Sequence, residues 1–224
     1  MAEVADRGVW LGPDSVAAHR ADLAAFAERA GRLDAAAVIR LRARSADHFT
    51  AWASTGLDVL ASRVVTGVVR PDDLSVGADE LVRGLTAVDS AGYVNPGFPM
   101  DSAWRGALPP DSGFTHLDDV PARLMLDLAQ RGSELAKEHG SSQGPPVSLL
   151  DQEVIRVSAG DDSVGVPMRC VFALTAMGFL PQDDDGAVSS DEIVRVRVLR
   201  AWLRIDARFG SVYRRRGDPA VVLR

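Results

Sequence analysis

Apolar residues recur every three to four positions over residues 14–30. Leu23, Phe26, Ala27 and Ala30 fall on one stripe, with Pro13, Asp14 and Ser15 as start signals and Gly31 as a stop. The spacing predicts a helix over 14–30. From residue 37 the period shortens to two. Ala37, Ile39 and Leu41 alternate with Val38, Arg40, Arg42 and Arg44, which predicts a strand with one apolar and one basic face. Residues 49–53 and 59–69 predict two further strands of an antiparallel meander. Val64, Val65, Val68 and Val69 favour strand in the second, because β-branched side chains suit a pleated surface. Pro71, Asp72 and Asp73 are expected to end the meander, and a short helix is expected near 78–86.

Residues 89–119 break both periods. Glycines and prolines punctuate them, and Tyr93, Phe98, Trp104 and Phe114 interrupt them. A structureless stretch of this length is uncommon in a compact domain and often functional, and four large aromatics imply that it packs on something. A second helix is expected over 120–138. Asp118, Asp119 and Pro121 mark its start, Val120, Leu124, Met125, Leu128 and Leu135 its buried stripe, and Lys137, His139 and Gly140 its end. Residues 140–146, Gly-Ser-Ser-Gln-Gly-Pro-Pro, read as a linker. Strand patterns then return at 154–158 and 163–166, flanking the hairpin residues Gly160-Asp161-Asp162, and at 193–199, 203–209 and 212–216, with Gly210-Ser211 as the last turn. Residues 168–179 read as a short buried helix, with a strand as the alternative.

These elements predict an α+β fold: antiparallel strands in two groups, about 36–69 and 152–216, packed with helices at about 14–30 and 120–138. The expected organisation is an N-terminal region 1–140 and a β-rich C-terminal region 147–224, or one continuous domain. Leu33-Asp34 before Val38-Ile39-Arg40 resembles Leu150-Asp151 before Val154-Ile155-Arg156, a hint of duplication that two similar strand openings explain as simply.

Composition changes the picture in three places. At 224 residues, 46% hydrophobic and 25% charged, the chain can bury a core without disulfides or structural metal. Its single cysteine, Cys170, excludes an internal disulfide and a multi-cysteine zinc site, and its apolar neighbours Val171-Phe172-Ala173-Leu174 predict an inert buried thiol. The first seven residues do not read as a signal peptide, and no apolar run is long enough to span a membrane, so a cytoplasmic, bacterial protein is the expectation. The net charge of −6 hides a split. Residues 191–224 carry nine arginines against four acids, a net +5, which leaves −11 on the rest.

That basic segment supplies the first candidate site. Arg204 and Arg208, alternating with apolar residues, and the run Arg214, Arg215 and Arg216 would line a sheet face able to grip phosphates, with Trp202 or Tyr213 available for stacking. A solvated face paired with the acidic remainder is the simpler reading. His116, with Asp118 and Asp119 close by, is the candidate catalytic group, although capping by the Asp side chains explains the pattern too. Asp183, Asp185, Gly186, Val188 and Glu192 match part of a calcium loop. Position one is Pro181, without a side-chain oxygen, so an acidic surface turn is expected and no metal. No glycine-rich phosphate loop or nucleophile elbow occurs, and no cofactor is implied.

The pattern favours a non-catalytic binding or interaction protein, a scaffold or regulator with a homodimer as one form, and Tyr93, Phe98, Trp104 and Phe114 are offered as contact residues. Two alternatives stand beside it: an enzyme using the 92–119 loop, and a binder of anions or nucleic acid through the C-terminal arginines. A protein partner or self-association is expected, without a membrane.

Overall fold

The computed structural model describes residues 6–11, 16–139, 144–160, 162–183 and 185–217. The helix-start signals Pro13, Asp14 and Ser15, residues 140–143, Asp161, Asp218 and Arg224 lie outside the described residues. The fold is α+β with antiparallel sheets. Its elements cluster into two units, Met1–Gly56 with Ser62–Ala107, and Leu57–Ala61 with Leu108–Arg224.

The first unit runs β1 (Gly8–Trp10), α1 (Val16–Leu33), β2 (Val38–Ala43), β3 (His48–Ser54), β4 (Leu60–Thr66, from Ser62 on), β5 (Val68–Arg70), β6 (Asp73–Gly77), α2 (Ala78–Thr86) and β7 (Tyr93–Val94). Its strands lie in the orders β6-β2-β3-β4 and β5-β1-β7. In register, Ile39 faces Ala53 and Val76, and Leu41 faces Ala51 and Leu74, so the period-two pattern becomes one buried row. The stripe expected on α1 is buried as expected, and α1 packs on α2 through Leu81 and Leu85.

Two expectations change here. The single strand over 59–69 is two strands, split at Gly67, whose φ of 149° brings its backbone against the Trp10 carbonyl. Pro71, Asp72 and Asp73 do not end the meander. Asp73 opens β6, and its carboxylate is satisfied across the sheet by Arg40, which donates from Nε and Nη2 at 2.7 and 2.6 Å. The same hydrogen bond raises the Arg40 guanidinium above its ordinary value.

The second unit runs β8 (Thr115–Pro121), α3 (Ala122–His139), α4 (Val147–Leu150), β9 (Glu153–Ala159), β10 (Asp162–Pro167), α5 (Met168–Ala176), β11 (Ile193–Leu199), β12 (Trp202–Ala207) and β13 (Gly210–Arg215). The sheet order is β13-β12-β11-β8, and β9 and β10 form a separate hairpin. The stretch 89–119 is therefore less irregular than expected, because it holds β7 and the start of β8. Asp118 and Asp119 lie in β8 rather than capping a helix, since Asp119 pairs in register with Arg195 of β11. Gly210 opens β13, and the last turn sits at Arg208–Phe209.

The buried seam of α3 also differs from the expected stripe. Ala122, Met125, Ala129 and Gly132 form the buried seam, and the small Ala122, Ala129 and Gly132 let α3 lie close to α5. Leu124 and Leu135 are left 39% and 44% exposed, with Leu128 half-buried between them.

One buried charge organises this unit. Arg169, in the first turn of α5, is 8% exposed. Its Nη2 donates to Asp151 Oδ1 at 2.6 Å and its Nη1 to the Leu57 carbonyl at 2.7 Å, with Asp58 Oδ2 at 3.8 Å. Asp151 Oδ1 also accepts from Arg214 Nη2 at 3.1 Å. One guanidinium thus joins the start of α5, the α4–β9 junction and the 57–58 turn. Its neighbour Cys170 is fully buried, and desolvation pushes its thiol up to about 12.

Three outcomes follow from this packing. Gly84 of α2 sits where a Cβ would run into the Asn95 carbonyl oxygen. Gly84→Ala will therefore lower stability by about 1–3 kcal/mol in urea unfolding, although the same change at an open helix site gains about 1 kcal/mol. Arg169→Met will lower stability by about 2–3 kcal/mol, and Arg169→Lys will recover less than half, because an ammonium cannot present a planar fork to two acceptors. Cys170 will resist iodoacetamide in the native protein at neutral pH and react once urea unfolds it, which mass spectrometry of the labelled chain will show.

Candidate functional site

The four aromatics offered as contact residues each meet different neighbours. In the first unit, Tyr93 packs against Trp10 with ring centroids 5.3 Å apart, and its hydroxyl donates to the Arg7 carbonyl. Trp104 lies under the Arg40 guanidinium, 5.8 Å from the ring centroid, and its indole N–H donates to the Gly106 carbonyl. Phe98 is 83% exposed. Phe114 belongs to the second unit, where it meets Tyr213 edge-on at 6.0 Å.

Of the C-terminal arginines, Arg195, Arg197 and Arg204 share one sheet face, whereas Arg214, opposite Leu203, lies on the other face and Arg208 in the last turn. The registers place His116, Arg197, Arg204 and Tyr213 in one cross-strand row and Asp119, Arg195, Asp206 and Ser211 in the next. Asp206 is the hub of that face. It accepts from Arg204 Nε at 2.6 Å and from the Ser211 hydroxyl at hydrogen-bond distance, and forms an ion pair with Arg197, whose Nε is 3.0 Å from Oδ2. Arg204 also lies over the rings of Phe114 and Tyr213, at 5.6 and 5.4 Å, so stacking and a carboxylate fix it together. Arg208 leaves the face and pairs with Glu192, donating from Nε at 2.9 Å. That hydrogen bond, and then the carboxylate charge, raise the Arg208 guanidinium above its ordinary value.

His116 Nε2 and Asp119 Oδ1 are 2.8 Å apart on β8, both side chains over 40% exposed, and Arg195 Nε stands 4.0 Å from the same oxygen. Asp118 accepts from the Asp119 backbone N–H. This is a hydrogen-bonded pair on an exposed strand, and neither His116 nor its two aspartates line the clefts described next. The acidic turn is built as a turn: Asp183 Oδ1 accepts from the backbone N–H of Asp185 and Ala187, while Glu192 holds Arg208. Among the described residues no cluster of three or more His, Cys, Asp or Glu side chains could hold a metal ion, and no helix is long and apolar enough to cross a membrane.

Two clefts stand out. In the first unit an apolar groove of about 360 Å³ runs between α1 and α2, with Arg20 and Glu28 among its lining residues. In the second unit a polar cleft of about 270 Å³ lies between the β9–β10 hairpin and the end of β13. Arg156, Arg214, Arg215 and Arg216 line it with Glu153 as its one acid. Hairpin pairing explains the convergence. Arg156 stands opposite Gly165, which has no side chain, and the Glu153 carboxylate folds onto that glycine, where a Cβ would strike it. Glu153 accepts a hydrogen bond from Arg156, Arg214 is tied to Asp151, and Arg216 Nη1 reaches the Leu199 carbonyl at 3.5 Å. Among the described residues Arg215 makes no ion pair, and the buried Nε of Arg214 has no acceptor.

The run 214–216 is visible in the sequence, whereas Arg156 and Glu153 are not singled out there. The hairpin residues at 160–162 were the available signal, because they fix which residues of β9 and β10 face each other.

Residues 11–106 match the family model described as domain of unknown function DUF8010, and residues 109–219 that of DUF8185. The two matches meet where the compact units divide, at Ala107/Leu108. No curated protein matches the sequence. Among solved structures the chain is similar to the DNA polymerase sliding clamp of Caulobacter crescentus (12% identity, TM-score 0.52, 92% of this chain and 67% of that one). It is likewise similar to the beta subunit from the DNA polymerase of Streptococcus pyogenes (11%, 0.54, 92% and 66%) and to the DNA polymerase III subunit beta of Pseudomonas aeruginosa (12%, 0.54, 92% and 66%). The chain spans about two thirds of the length of these clamps. At such identities the likeness is one of fold, carried by nearly the whole of this chain.

Proposed function

We propose that the chain is a non-catalytic interaction protein, a scaffold that works by holding another protein chain. The observation that carries this reading is the likeness of nearly its whole length to proteins named as sliding clamps. Its surface supports the same reading. Leu124, Leu128 and Leu135 form an unburied row along α3, and Phe98 stands free in the first unit. Rows of large apolar side chains left in water mark contact surfaces. The three basic and three acidic side chains of α3 balance, which suits a second copy of the same helix as the occupant. The catalytic alternative has less support, because His116 and Asp119 form their pair on an exposed strand, where water screens both.

Sedimentation velocity over a wide concentration range tests the reading. The expected result is a mass that rises above the single-chain 23.9 kDa with concentration. The double substitution Leu124→Ser and Leu135→Ser should weaken that association about tenfold or more while lowering the thermal melt only modestly, since both side chains are already partly exposed. Phe98→Ser separates a contribution of the first unit. A single-chain mass at every concentration removes self-association from the proposal.

A further inference from the structure

We infer that the cleft between the β9–β10 hairpin and β13 binds a small phosphorylated molecule, held between Arg156 on one wall and Arg215 and Arg216 on the other. Three features of the cleft point there. Its charge is unbalanced: Arg156, Arg214, Arg215 and Arg216 stand against Glu153 alone, and Arg214 is already tied to Asp151. The other C-terminal arginines differ, since Arg197 and Arg204 share Asp206 and Arg208 has Glu192. Arg215 and Arg216, left without carboxylates in the cleft that Arg156 also lines, present the forked donors that match phosphate oxygens.

The second feature is size. At about 270 Å³ the cleft is a discrete pocket, larger than one phosphate needs and below the usual range for drug-sized ligands. A polymer backbone would call for a basic track continuing beyond it. On the neighbouring face the arginines instead alternate with Asp119 and Asp206, which favours a compact anion over a nucleic acid strand.

The third feature is the position of Glu153. Its carboxylate lies over Gly165 and accepts from Arg156, so it occupies the space of an acceptor for the guanidinium on that wall. A phosphoryl group entering the cleft would replace that carboxylate at Arg156, and Glu153 would swing toward solvent, where half of its side-chain surface already lies. Glu153 is thus a resident competitor that sets the affinity.

Isothermal titration with pyrophosphate, at low ionic strength, tests the assignment. Orthophosphate and mixed-sequence single-stranded DNA serve as comparison ligands and Arg83→Gln, on α2, as a control variant. The expected result is saturable pyrophosphate binding, tighter than that of orthophosphate. It should fall about tenfold or more in the double substitution Arg156→Gln and Arg215→Gln, and persist in Arg83→Gln. Both arginines of the double variant are solvent-facing and outside the Arg169 network, so its melt should match the parent's. Glu153→Gln should tighten pyrophosphate binding several-fold, a gain that a purely structural Glu153 would not produce. Absence of pyrophosphate binding up to about 10 mM overturns the inference. So does equal binding by the double variant, or single-stranded DNA binding that outcompetes pyrophosphate and survives that variant. These outcomes are independent of the sedimentation result, because neither Leu124 nor Leu135 lines the cleft.

Discussion

A guanidinium carried into the interior of a small unit needs acceptors for its terminal nitrogens, and Arg169 draws them from separate stretches of chain. At 8% exposure it cannot be left to water. The Leu57 carbonyl satisfies one nitrogen and the Asp151 carboxylate another, and Asp58 adds charge at longer range. Each acceptor comes from a segment without regular structure of its own. The turn at 56–58 uses positive φ at Gly56 and Asp58, and Asp151 follows the single turn of α4. Such segments have little backbone pairing to hold them, so an ionic anchor does what a strand ladder does elsewhere. Asp151 passes the constraint on through Arg214 to β13, and β13 carries the arginine run.

The same reasoning explains how a chain with so uneven a charge distribution folds at all. Nine arginines in the last thirty-four residues would repel one another on a bare sheet. In the folded unit most of those described lie against a carboxylate, and the carboxylates come from close by. Asp206 sits on β12 among the arginines it neutralises, Glu192 just before β11, and Asp119 on the neighbouring β8. Asp206 and Glu192 belong to the tail itself, while Asp119 and Asp151, the partners of Arg195 and Arg214, come from the acidic remainder. Antiparallel registry brings the partners together, and the aromatic rings of Phe114 and Tyr213 take up the flat face of Arg204.

Registry is also where the sequence stops being legible. The period-two runs at 38–43, 193–199 and 202–207 announce their strands, because alternation is a local signal, and so do the stripe of α1 and the brief α2 and α5. Strands β6 and β8 escape notice for one shared reason. Asp73, Asp118 and Asp119 look like punctuation when read alone, and become acceptable in a strand only through Arg40 and Arg195, which lie far off in sequence. The α3 stripe misleads in the opposite direction. Leucines are the obvious core residues, yet Ala122, Ala129 and Gly132 take the seam because close approach to α5 favours small side chains, and the leucines turn outward. Of the candidate site, the run 214–216 is plain in the sequence. What it faces depends on a hairpin register fifty residues earlier.

Those displaced leucines and the unneutralised arginines are two kinds of surplus, and their separation has a physical meaning. A folded unit that buries its apolar groups and pairs its charges has no reason to hold either in reserve. On α3 the surplus is hydrophobic and linear, the form that suits another helix or sheet. In the cleft it is ionic and concave, the form that suits a compact anion. An arginine pocket laid across a protein–protein contact would have to be desolvated by the partner, at a cost that few carboxylates could offset. None of Leu124, Leu128 and Leu135 lines the cleft, so the proposed anion and the proposed protein contact use different side chains. Within the hairpin Glu153 gives Arg156 its carboxylate partner, the place the proposed anion would take.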